Sequence, residues 1–277
     1  NNWSEDQWSA TSGGTPSTDF FPLPQDTAIL DENTATPVVL NSAHPFLGTV
    51  DMSARTSVLT LSMAFAQTVC GDWINGSGTS ITGSGLLSFS GRNTQTITSA
   101  GKIFTSEIDV KSHGGTVELG DALNMGSRSI TVTVGDFRTN GYSVTAASLL
   151  SDNTTVRGVF LGASTVTLSA SVDLEISTGL VFDAGTSNIV LTAGVPTFNG
   201  GGQTFSRVTA GPLSAGPAMI ISGENTFLDL TFTAPGGSGS VANVAIYDDQ
   251  TVTRNFAVTS GTAVRRVYVK GVATGDP

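Results

Sequence analysis

The sequence predicts an all-β chain wound as a repetitive β-solenoid. Three observations carry the prediction: a strand-and-turn composition, a turn-then-strand phrase that recurs along the chain, and a spacing of that phrase near 20 residues. Ser and Thr together fill 71 of the 277 positions and Gly another 33, while charged residues make up only 12%, about half the usual share of a globular domain. Lys occurs only at Lys102, Lys111 and Lys270. Helices draw on Ala, Leu, Glu, Lys and Arg. Strands draw on Val, Ile, Thr and aromatics, with Gly and Asn at the turns.

The phrase is a Gly/Asn/Ser turn followed by a short alternating strand. It reads Ser99-Ala100-Gly101-Lys102-Ile103-Phe104, then Met125-Gly126 leading into Ile130-Thr131-Val132, then Asn140-Gly141 leading into Val144. Gly162 leads into Thr165-Val166-Thr167-Leu168 and Gly185 into Asn188-Ile189-Val190-Leu191, the two closest instances. Thr204-Phe205-Ser206-Arg207-Val208-Thr209 and Thr226-Phe227-Leu228-Asp229-Leu230-Thr231 share a Thr-Phe-x-x-(Val/Leu)-Thr pattern, 22 residues apart. The glycines at 101, 126, 141, 162, 185, 202 and 223 mark the repeat.

A period near 20 fits one coil of two or three short strands joined by tight turns. Such a coil cannot close a core alone, so coils stack. In Ser129-Ile130-Thr131-Val132-Thr133-Val134 the alternation puts the aliphatic residues on one face and Thr on the other. Gly and Asn at the corners supply the positive φ that bends a coil. The alternative is an antiparallel β-sandwich, whose turns recur every 8–12 residues, roughly, so that two strands make one apparent period.

Three segments follow. Residues 1–36 lack periodicity. Pro16, Pro22 and Pro24 deny regular pairing, yet Trp3, Trp8, Phe20, Phe21 and Leu23 are too apolar for a solvated tail. The expectation is an extended acidic docking arm lying on its own body or on a neighbour's. Residues 37–235 form the solenoid body. After the break Ala234-Pro235-Gly236-Gly237-Ser238-Gly239-Ser240, residues 236–277 read as a β cap or contact segment.

The net charge of −10 argues against nucleic-acid binding. It is also uneven. Glu5, Asp6, Asp19, Asp26, Asp31, Glu32 and Asp51 precede the first basic residue, Arg55, whereas the chain is balanced from 190 onward. Such a step suits a part that docks at one end. Arg265, Arg266 and Lys270 are candidates to meet an acidic partner, or to protect an edge strand. Trp3 and Trp8, with Phe20 and Phe21, are candidate docking anchors.

Residues 1–8 show no secretory leader, and the most apolar stretch, Val58 to Cys70, is too short to span a bilayer, so no membrane insertion is expected. The single cysteine, Cys70, allows no intrachain disulfide and reads as a small buried apolar residue; a nucleophilic role needs one of the two histidines, His44 or His113. Nucleotide-loop and zinc spacings are absent, and Ser151-Asp152-Asn153 lacks calcium-loop spacing, so no cofactor and no metal is expected. The best candidate catalytic pair is Asp173 and Glu175, two acids placed on one face of an alternating strand; Asp248-Asp249 is weaker and reads as a turn. Glycosidases use two carboxylates about 5–9.5 Å apart. The competing reading is a pair of solvated acids, favoured by the shortage of aromatic platforms for sugar.

The phrase Trp8-Ser9-Ala10-Thr11-Ser12-Gly13-Gly14, with Pro16-Ser17-Thr18-Asp19 and Phe20-Phe21, resembles the opening of a loose group of tailed-phage virion proteins. Their Thr/Gly-rich repeats lead a Gly turn into a Phe, as Gly200-Gly201-Gly202-Gln203-Thr204-Phe205 and Gly223-Glu224-Asn225-Thr226-Phe227 do here. The resemblance covers the first 21 residues and the repeat texture, and no site residues carry over. It implies a non-enzymatic fibre, spike, knob or capsid-decoration part, located in the virion. Such parts contact other virion proteins, are usually trimeric, and in some cases attach to a host surface glycan. It also keeps two alternatives in view: a tailspike-like polysaccharide hydrolase, since some β-helical tailspikes cut polysaccharide, and a secreted bacterial β-solenoid adhesin.

Overall fold

The computed structural model describes residues 3, 8–17, 22–41, 46–236, 240–259 and 266–271, and these contain no helix. The chain forms two compact units, residues 1–138 and 139–277. Each is a β-solenoid whose stacked coils pair in parallel. The parallel registers overturn the antiparallel sandwich.

In the first unit each coil has three sides. The first coil holds β1 (Thr27–Ile29), β2 (Val38–Leu40) and β3 (Phe46–Leu47). The second holds β4 (Thr49–Asp51), β5 (Leu59–Met63) and β6 (Gln67–Val69), and the third β7 (Trp73–Ile74), β8 (Thr79–Gly83) and β9 (Leu87–Phe89). Then come β10 (Thr94–Thr98), β11 (Ile108–Leu119), β12 (Leu123–Asn124) and β13 (Ile130–Arg138). Because parallel strands stack in register, one inward position per side repeats down the unit. Ala28, Val50, Trp73, Ile97 and Leu119 form one such row. Leu47, Val69, Phe89, Val110 and Val132 form the second, and Val38, Leu61 and Ile81 the third. Every member of the three rows is buried.

The second unit contains β14 (Val144–Leu150), β15 (Arg157–Phe160), β16 (Thr165–Asp173), β17 (Leu180–Asp183), β18 (Asn188–Leu191) and β19 (Thr197–Asn199). It continues with β20 (Thr204–Ala210), β21 (Gly216–Ser222), β22 (Thr226–Thr233), β23 (Val241–Ile246), β24 (Thr251–Thr259) and β25 (Arg266–Gly271). The shared Thr-Phe pattern is a true register: Thr204 pairs with Thr226, Phe205 with Phe227 and Val208 with Leu230. Val166 likewise sits on Ile189. Inside, Phe205 packs against Phe182, Phe198 and Phe227 with ring centroids 4.8–5.7 Å apart, a spacing at which aromatic pairs attract beyond simple burial.

All seven marker glycines adopt positive φ. Gly185 needs its missing side chain twice over, since φ is +54° and a Cβ would lie 2.3 Å from the Gly162 carbonyl oxygen.

Two segment boundaries differ from the sequence expectation. The solenoid begins at β1, inside the segment assigned to the arm, because Thr27–Ile29 pairs with Thr49–Asp51 despite the prolines just before it. The described residues after 236 continue the stack rather than form a separate cap: β23 pairs with β21, β24 with β22 and β25 with β23, all parallel. The strands on either side of the Gly/Ser break belong to one parallel stack, so the break is not a domain limit. The alternation of Val241–Ile246 lets Ala242 and Val244 keep facing inward.

The scarce acids have a recurring task, which is to accept backbone N–H groups from the neighbouring coil. Asp72 takes Thr96 N at 2.7 Å, Asp121 takes Ser99 N at 2.6 Å and Ala100 N at 2.7 Å, and Asp248 takes Gly223 N at 2.7 Å. Glu32 does most: one carboxylate accepts from the N–H and hydroxyl of both Thr56 and Ser57. Those four bonds, led by the Ser57 hydroxyl, hold its pKa down to about 2, because donors to the ionised form favour it. A carboxylate depressed in the folded state contributes stability that is present above its unfolded pKa and lost as pH falls through the folded one. Glu32→Gln is therefore expected to lower stability at neutral pH, with the difference from the parent shrinking from about pH 4.5 to about pH 2. Urea melts followed by circular dichroism across that window check it, and a pH-independent difference would contradict it.

Candidate functional site

The candidate pair lies in the second unit, where β16 ends. Asp173 is the last residue of that strand, and Glu175 lies beyond it. The expected arrangement of both acids within one strand face is therefore corrected. Leu174 turns fully inward, and the Glu175 N–H folds back onto the Asp173 carboxylate at 3.3 Å. The two carboxylates are nevertheless neighbours, and a third joins them. One oxygen each from Asp152, Asp173 and Glu175 lies within 4.8 Å of the others. Asp152 comes from the corner one coil earlier, at the end of β14, because Leu150 pairs with Asp173.

Beneath this corner lies Arg157, only 1% exposed. Its guanidinium donates to the Ser151 hydroxyl (2.6 Å), to the carbonyls of Thr155 and Thr178 (both 2.9 Å) and Ser151 (2.8 Å), and to the Ile176 carbonyl. All five N–H groups of the side chain are thereby used. Burial pulls the Arg157 pKa down from its ordinary value, and the charge of Asp152 opposes that. Asp152 also accepts Ile176 N at 3.2 Å. The acids thus have structural work around a buried cation and a corner loop. Burial pushes the Asp173 carboxyl above its ordinary value, the Glu175 N–H pulls against this, and Asp152 adds repulsion.

Chemically the cluster can share a proton, and its spacing approaches that of a retaining glycosidase pair, about 5–5.5 Å. Beside it runs a shallow groove of about 520 Å³, bordered by Glu175, Asn199, Gln203, Glu224 and Asp248. Asp248, read from the sequence as a turn residue, is one of the carboxylate clips.

Of the docking candidates, Trp3 is buried in its own unit. Its backbone N–H donates to the Val39 carbonyl at 2.9 Å, its backbone carbonyl accepts the Trp8 indole N–H at 2.8 Å, and the two indoles meet edge to face at 4.8 Å. The Trp3 indole that was expected to reach a partner is thus covered within its own unit and packed against Trp8, with its Nε1 making no hydrogen bond among the described residues. Trp8 is half-buried. Phe20, Phe21 and Arg265 lie outside the described residues, as does His44, and Arg266 opens β25 opposite Val241. Cys70 is half-buried rather than buried, with its Sγ 3.8 Å from the Ser90 hydroxyl. Sequence reasoning noticed Asp152 without joining it to Asp173 and Glu175. A 21-residue gap between Asp152 and Asp173, close to one coil, was the available signal.

No protein-family profile matches the chain, and neither does any curated protein or solved structure.

Proposed function

We propose that the protein is a non-catalytic structural component of a tailed-phage particle, a fibre, spike, knob or decoration part. It works by assembly, with other virion proteins as partners, as a homotrimer, and with a host surface glycan as its target where it contributes to attachment. The observation that carries this reading is the coil-to-coil clipping. Continuous inward rows, saturated corners and carboxylate clips make each unit a stiff stacked body, a construction suited to spacing and bearing load. The opening phrase around Trp8–Phe21 supports a virion setting. Particle mass spectrometry with immunogold labelling tests it: the chain should be found in purified particles at a defined position, and its absence from them would end the proposal.

The Asp152–Asp173–Glu175 cluster favours one second reading, a polysaccharide hydrolase. Under the structural reading, purified protein releases no new reducing ends from host surface polysaccharide. Asp173→Asn then raises the melting temperature at neutral pH, since it removes a half-buried charge that Asp152 repels. A raised folded pKa costs stability as pH rises through it, so the gain from Asp173→Asn should vanish below pH 3.8, the ordinary value. Release of reducing ends that either Asp173→Asn or Glu175→Gln abolishes would replace the structural reading. Losing a catalytic carboxylate costs several powers of ten, roughly, at about 1.36 kcal/mol each.

A further inference from the structure

We draw no further inference here: the strongest candidate, the Asp152–Asp173–Glu175 carboxylate cluster at the corner beyond β16 with the shallow groove beside it, belongs to the site already described, and nothing independent of the acids themselves shows what it would bind.

Discussion

Arg157→Met is expected to destabilise the second unit by about 3 kcal/mol or more, in the range that marks loss of a buried polar network. The guanidinium satisfies four backbone carbonyls and one hydroxyl around a single corner, and all four carbonyls belong to residues outside the strands. A methionine fills much of the volume but donates nothing, so each acceptor away from water is left to pay about 1–3 kcal/mol in desolvation. Arg157→Lys is the discriminating control. It keeps the charge and brings three donors instead of five, on a compact ammonium that cannot fork, so it should recover less than half of the loss. Denaturant melts give the magnitude, and hydrogen exchange gives the place, with protection falling first around residues 150–180. A loss below about 1 kcal/mol for the Met variant would show that water replaces the guanidinium at this corner.

Trp73→Ala is expected to cost the first unit about 3–5 kcal/mol, the range for deleting a large aromatic side chain from a core. Trp73 is completely buried between Val50 and Ile97 in its row, with its ring 6.2 Å from Phe104. Its indole N–H donates to Asn75 Oδ1 at 3.0 Å, and Asn75 Nδ2 donates to the Ser99 carbonyl one coil further on, at 3.1 Å. The side chain therefore fills the core and orients the amide that clips the next coil. Trp73→Phe separates the two effects. It keeps most of the apolar volume and strands the Asn75 carbonyl, so about 1–3 kcal/mol should be lost. Coils depend mainly on their nearest neighbours, so exchange protection should fall most between residues 50 and 100. A uniform loss along the unit would argue against that one-dimensional coupling.

Much of the second unit was legible residue by residue. The Thr-Phe pattern at 204 and 226 predicted a register because a parallel stack repeats its inward positions once per coil, and Phe205 does sit on Phe227. The glycines at 162 and 185 were legible for a related reason: every coil must turn at the same corner, and positive φ is inexpensive only for a residue without Cβ. The early coils were harder to read. Their strands are two to five residues long and alternate too briefly to show a period, so β1 was taken for part of the arm. The carboxylate corner was partly legible. Asp173 and Glu175 stood out as neighbours in sequence, whereas Asp152 is a neighbour only after one turn of the coil, and its corner had to be placed over Arg157 before its task became apparent.

By itself the sequence determined the all-β class, the stacked parallel coil and the glycine corners, because each follows from backbone conformational preference and from a repeat that neighbouring residues spell out. Tertiary structure alone decided which polar side chains are clips. Glu32, Asp72, Asp121 and Asp152 look like ordinary surface acids in sequence, and each becomes structural by meeting an N–H group 21 to 25 residues away. It also decided that Arg157 is buried, since a cation is removed from water only where five acceptors converge on it, and that convergence is a property of the closed corner rather than of any one stretch of chain.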